Sequence, residues 1–233
     1  MIEDLDFETY LYISKDKFQI FVLNKKKLKN LYSQELKIDH QFDFKDLNIL
    51  LNFLDKNIYK IEKLIGNFIK NIILIVENEK NLEINMGIKK SYETSLKQKS
   101  LSGNLTELKD LFKKNYEDQT IMHMCIINYI IDGKRYSSFD TKLINDYFCI
   151  EVGFVAIDNK LVFAFDNALE KYQIKIKRYM CGNYINNFIG DTGDEISIIA
   201  NKLRNGLNIN EITIVPKHKE NKGFFEKFFQ LFS

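Results

Sequence analysis

The chain has 233 residues, enough for one large or two small domains with a real core. Its 34 Lys and Arg against 32 Asp and Glu leave a net charge of +2, which gives no support to general polyanion binding. Lys, Asn, Ile and Phe dominate, with one proline and no tryptophan, a bias of the kind an AT-rich genome imposes, so the abundant lysines do not argue for nucleic acid.

Cys125, Cys149 and Cys181 lie far apart with no CxxC or metal spacing, and read as buried free thiols in a reducing compartment. The acidic start MIEDLDFETY lacks a positive region followed by an apolar run, so no signal peptide is read. No stretch approaches the roughly 20 apolar residues of a spanning helix, and a cytoplasmic setting is expected.

In chain order, Tyr10–Leu23 reads as a hairpin around Ser14-Lys15-Asp16-Lys17, and Asn30–Ile38 as a third strand. Phe44–Lys70 carries Leu47, Leu50, Leu51, Leu54, Ile58, Ile61, Leu64, Ile65 and Phe68 at helical spacing, with Asp43 as the expected N-cap. Asn71–Val76 is a near-continuous apolar run, the mark of a strand buried on both faces. Leu82, Ile84, Met86 and Ile88 alternate as in a half-buried strand. The polar stretch Lys89–Gly103 reads as a loop, and Asn104–Glu107 as a capping box opening a helix to about Tyr116.

Further on, Ile121–Ile131 and Tyr147–Ile157 read as strands, with a turn at Asp132-Gly133 after the first. Leu161–Tyr172 reads as a helix, the stretch around Ile174–Tyr179 as a short strand, and the chain to Ile189 as a short helix. Ile196–Ala200 is a brief apolar run, and Asn201–Asn221, polar and holding Pro216, reads as a linker. The order of elements implies a mixed α/β (α+β) fold, a mixed sheet with covering helices.

Catalytic templates fail. His40, His123 and His218 form no HxxxH or HExxH pair, and His123 reads as a satisfied structural histidine. GxSxG, GxxxxGK[ST] and GxGxxG do not occur. Cys125 has no visible general base and reads as a packed thiol. Asp191–Asp194 reads as a surface turn, and Asn24–Lys29 as a solvated one. No metal site, cofactor or enzymatic activity is expected.

The terminus KGFFEKFFQLFS is different. On a helix, Phe224, Phe225, Phe228, Phe229, Leu231 and Phe232 share an arc of about 160°, with Glu226, Lys227 and Gln230 opposite. At ~1.5 Å per residue the segment is about 15 Å long, too short to span a bilayer. Lys217, Lys219, Lys222 and Lys227, on or just before it, would meet anionic headgroups. A membrane surface, its own domain, or a partner's groove are the readings for this face, and the first fits best.

Against these elements, Ile121–Gly133 (IMHMCIINYIIDG) resembles the "ilH.iP..Y.iDG" strand of FtsA, the actin-like bacterial cell-division family. Tyr147–Ile157 is similar to that family's following strand, and Asn167–Ile176 to its next helix and strand. The resemblance covers roughly residues 10–189 plus the terminal segment. It implies half of an actin-like (ribonuclease H-like) core over 9–84 and 176–200, an inserted α+β subdomain over 85–175, a linker over 201–221 and an amphipathic membrane-targeting helix over 222–233.

The departures matter as much. Where the family's first phosphate loop reads like "LDIGTSK", this chain has Leu11–Lys17 (LYISKDK), so Tyr12 and Ser14 replace an acidic residue and a glycine, with Lys15 beside them. A second phosphate loop and second half have no match. The resemblance then implies a divisome adaptor or scaffold without ATP binding. It would sit on anionic lipids of the bacterial inner membrane's cytoplasmic face, at the division site. It would bind division proteins through the insert, with self-association possible in principle and no nucleic-acid partner. The rival reading is an adaptor of the PilM pilus-assembly type, recruiting a peptide from a membrane partner; a further one is an interaction module whose last helix docks in a partner groove.

Overall fold

The computed structural model describes residues 6–39, 42–91, 98–137, 147–190 and 193–212. Strand β1 (Phe7–Ile13) turns at Ser14–Asp16 into β2 (Lys17–Asn24), and β2 pairs antiparallel with β3 (Lys29–Lys37). Strand β4 (Asn71–Val76) lies parallel to β1, and β9 (Lys175–Cys181) lies parallel to β4. The resulting five-stranded sheet has the order β3-β2-β1-β4-β9, with only β2 reversed. That order and polarity are those of a ribonuclease H-like sheet, the base of one actin-like half, as the sequence implied.

Alternation along the central strands builds a core on each face of this sheet. Leu11, Ile13, Ile72, Leu74 and Val76 point to one side, where helices α1 (Asn48–Ile65) and α3 (Asn159–Glu170) bring Leu50, Leu54, Ile61, Phe165 and Leu169. Tyr10, Tyr12, Ile73 and Ile75 point to the other. There, α4 (Gly182–Asn186) and α5 (Ile196–Arg204) cover them with Ile185, Ile199, Ala200 and Leu203.

A second, four-stranded sheet has the order β5-β8-β6-β7. It comprises β5 (Leu82–Ser91), β6 (Gln119–Ile131), β7 (Lys134–Tyr136) and β8 (Tyr147–Asp158), all paired antiparallel. Helix α2 (Gln98–Asn115) lays Leu105, Leu108 and Phe112 on its Phe148, Ile150, Val152 and Phe154 face, with Phe112 stacked 4.7 Å from Phe154. The expected Asp132-Gly133 turn is present, both residues at positive φ.

Several boundaries differ from expectation. Helix α1 starts at Asn48, not Phe44, because Asp43 and Asp46 each accept from the amide two residues on and hold the approach in successive turns. Gly66 at φ 67° ends it, and Phe68 emerges exposed instead of on the helix face. The insert begins at Leu82, since residue 85 lies inside β5, and ends at Asp158, since α3 packs on the five-stranded sheet. Helix α2 begins at Gln98, upstream of the expected capping box.

The largest correction concerns residues 201–212, expected as linker. Asn201–Arg204 close helix α5, whose Ile196, Ile199, Ala200 and Leu203 at i, i+3, i+4 and i+7 are buried. Asn205–Ile212 then packs across the seam between the sheets. Among the cysteines only Cys181 is buried; Cys125 and Cys149 are half-buried, and all three are free thiols.

Candidate functional site

The first place to test is the turn where an actin-like half would meet a phosphate. A phosphate loop needs backbone amides pointing outward. Here the Ser14 amide donates to the Lys17 carbonyl at 3.0 Å. The Lys17 amide donates to Ser14 Oγ at 3.1 Å, and Ser14 Oγ donates to Asp16 Oδ1. That bond holds the Asp16 carboxyl below its ordinary range. Lys15 pairs with Glu79 at 2.8 Å. The turn therefore bonds with itself and its neighbours.

Behind it, Tyr12 is almost fully buried and donates to Glu77 Oε2 at 2.7 Å, and Asn186 Nδ2 donates to the same oxygen at 2.7 Å. Burial first, then the Glu77 carboxylate, pushes the Tyr12 phenol well above its ordinary value, so it stays a donor. Gly182 opens α4 so close to Glu77 that a Cβ there would lie 2.7 Å from Glu77 Cβ. The pocket, about 380 Å³, presents Asp16, Glu77 and Glu195 against Lys17. That charge balance disfavours phosphate. Among the described residues no group of three or more His, Cys, Asp or Glu is placed to hold a metal ion.

The second place lies at the seam, and its key residue, Glu211, was not visible as functional in the sequence. Asn205–Ile212 returns along β6: the Ile126 amide donates to the Asn210 carbonyl at 2.9 Å and the Ile212 amide to the Met124 carbonyl at 2.8 Å. Glu211, opposite Cys125, is buried. Its Oε1 lies 2.9 Å from His123 Nδ1 and 3.0 Å from Arg178 NH2, and its Oε2 accepts from the Tyr184 hydroxyl at 3.2 Å. Asn208 Nδ2 donates to Tyr184 at 2.8 Å.

His123 Nε2 accepts from the Cys181 amide at 2.9 Å, at the end of β9. This fixes the tautomer: Nε2 carries the lone pair and Nδ1–H faces Glu211. His123 is thus a satisfied structural histidine, as expected, and it ties the second sheet to the first. Burial pulls its pKa down, against the pull of Glu211. Burial raises the Cys125 pKa, and the half-buried thiol, expected as a packed core thiol, lies 3.4 Å from the Tyr184 hydroxyl.

The membrane-facing candidates Lys222, Phe224, Phe225, Lys227, Phe228, Phe229, Leu231 and Phe232 lie outside the described residues. So do residues 213–221 of the expected linker. No helix among the described residues is long and apolar enough to cross a membrane. The Asn24–Lys29 stretch forms the β2–β3 turn, with Asn24 Oδ1 accepting from the Lys27 amide at 2.9 Å.

No family model matches the chain, and no curated protein matches it. Among solved structures it is similar to the cytoplasmic domain of EpsL, an inner-membrane component of the type II secretion system of Vibrio cholerae, at 10% identity and a TM-score of 0.33. That match covers 76% of this chain and 56% of EpsL. It is similar to the PilM–PilN type IV pilus biogenesis complex at 8% identity and a TM-score of 0.45, over 78% of this chain and 49% of the other. A third is a Bacteroides thetaiotaomicron protein with an actin-like ATPase fold and unknown function, at 14% identity and a TM-score of 0.31, over 81% and 58%. The chain thus spans about half the length of each of these three structures. The fold assignment rests on strand order and polarity.

Proposed function

We propose that the chain is a scaffold that binds a membrane surface through its terminal aromatic segment, presents its inserted sheet to protein partners, and does not use ATP. The observation that carries the scaffold reading is the Glu77 carboxylate. It lies behind the turn that the resemblance matches to a phosphate loop, and Tyr12 and Asn186 both donate to it. The finer reading, a reduced FtsA-like adaptor of the cell-division machinery, rests on the sequence resemblance and the terminal segment.

A second reading, a PilM-like adaptor, is favoured by one feature. A groove of about 810 Å³ runs between Phe42, Phe44 and Lys45 on the approach to α1 and Lys160 and Leu161 of α3. Its size and mixed lining suit an extended peptide.

Co-sedimentation with anionic vesicles tests the membrane part. The full chain pellets, and a chain ending at Asn221 or carrying Phe225→Glu/Phe228→Glu stays in the supernatant while keeping the same melting temperature. A full chain left in the supernatant overturns the membrane part. A fluorescent fusion that rings the division site supports the division reading; one confined to the poles or to pilus assemblies supports the second.

A further inference from the structure

Lys177, exposed on β9, borders two adjoining grooves. One also holds Lys109, Met122, Tyr179 and Ile212. The other holds Lys25, Phe68 and Lys70. Three carboxylates beside this band are ion-paired, Asp6 with Lys25, Glu8 with Arg204, and Glu211 with Arg178 and His123, while Glu62 accepts from the Ile69 amide at 3.1 Å. Among the described residues Lys70, Lys109 and Lys177 have no ion-pair partner. Phe68 stands beside them 75% exposed, an unusual setting for so large an apolar side chain.

Ile212 is where the described chain stops, and it lines the same groove as Lys109 and Lys177. Lys222 follows ten residues later in the sequence. At ~3.3–3.6 Å per residue, that stretch reaches at most about 35 Å. A surface that holds the terminal segment therefore lies within that reach of the Ile212 end of this basic band. Neutralised carboxylates, unpaired lysines and an apolar prong are the chemistry that an anionic bilayer surface takes up.

We propose that Lys70, Lys109 and Lys177, with Phe68, form a second contact for anionic lipid beside the root of the terminal segment. The inference rests on the membrane reading above. Two contacts on one chain raise avidity without strengthening either, and they fix which side of the molecule faces the bilayer.

The test measures partitioning of the full chain onto vesicles of phosphatidylcholine with and without phosphatidylserine. Each lysine near such a surface is worth about fivefold in partitioning. Lys70→Gln/Lys109→Gln/Lys177→Gln is expected to lose about a hundredfold on the anionic vesicles if all three meet the surface, and at least about tenfold. Lys37→Gln/Lys56→Gln/Lys60→Gln, the same charge change at exposed positions on β3 and α1, is expected to lose less than about threefold, the general effect of net charge. Phe68→Ser is expected to lower binding to vesicles both with and without phosphatidylserine, because its contact is apolar. Melting temperatures establish that each variant is folded. Equal losses in the two triple variants overturn the proposal. So does wild-type partitioning of the Lys70/Lys109/Lys177 variant while Phe225→Glu/Phe228→Glu abolishes binding, and in that case the terminal anchor stands. A full chain that binds no vesicle overturns both.

Discussion

His123 Nδ1 and Glu211 Oε1 lie 2.9 Å apart, buried at the seam, although 88 residues separate them in the chain. His123 belongs to the second sheet and reaches the first through the Cys181 amide, and Glu211 belongs to the segment that leads to the terminus. One pair of side chains therefore joins both sheets and the root of the tail.

Removing the carboxylate tests that joint. Glu211→Ala leaves the His123 Nδ1–H and the Arg178 guanidinium without their acceptor in a largely buried place. Loss of one partner of a buried charged pair costs about 3 kcal/mol, or a melting temperature lower by roughly 6–12 °C in a chain of this size. The double variant His123→Ala/Glu211→Ala is expected to be less destabilised than the sum of the singles by about 1 kcal/mol or more, because the two groups act on each other. Urea denaturation of the four proteins measures it.

The joint is also expected to weaken in acid. His123 has a folded pKa below its ordinary 6.5, since burial disfavours the imidazolium and Nε2 must keep its lone pair for the Cys181 amide. Glu211 is also depressed below 4.5: burial raises it, and the bonds and charges from His123, Arg178 and Tyr184 lower it more. In both cases the unfolded chain binds the proton more readily, so stability rises with pH across each window. The His123 contribution is full above about pH 6.5 and declines as the pH falls below it; that of Glu211 follows below about pH 4.5. The melting temperature of the wild type is expected to fall between pH 7.5 and 5.5, and His123→Gln to shrink that fall. An unchanged difference contradicts the tautomer assigned here.

Much of this was legible from pattern. The two apolar runs of Tyr10–Leu23, the run Asn71–Val76 and the long strands Ile121–Ile131 and Tyr147–Ile157 marked their own strands, and their order implied a mixed sheet; the half-actin arrangement was implied by the family resemblance, and the strands divide between two sheets. Helix α5 was legible in principle: Ile196, Ile199, Ala200 and Leu203 hold helical spacing, masked by the β-branched isoleucines and a polar continuation. Glu211 was not. Its role comes from a contact across 88 residues, and a lone glutamate in a polar stretch carries no local sign of being buried.

Two glycines separate backbone freedom from close approach. A Cβ on Gly182 meets Glu77 Cβ at 2.7 Å and its Cα at 3.1 Å, so Gly182→Ala must push α4 away from β4 and is expected to cost about 1–3 kcal/mol. A Cβ on Gly103, inside α2, meets nothing within 4 Å, so Gly103→Ala is expected to stabilise by about 0.5–1 kcal/mol. Thermal melts of the two variants are expected to move in opposite directions.

The Ser14–Lys17 turn is expected to hold no nucleotide. With Ser14 and Lys17 bonded within their own turn and Glu77 taken by Tyr12 and Asn186, a triphosphate would have to break several bonds before making any. It would also enter a pocket holding three carboxylates and one lysine. Titration with a fluorescent ATP analogue and Mg²⁺ is expected to show no saturable binding by the full chain up to about millimolar concentrations, weaker than roughly 4 kcal/mol. Tyr12→Phe discriminates between the reasons. It removes the hydroxyl from Glu77 and leaves the carboxylate less neutralised, so it is expected to lower stability without creating a nucleotide site. Saturable binding by the wild type, lost in Lys17→Gln, would return this half-site to nucleotide chemistry and remove the main support for a scaffold without ATP.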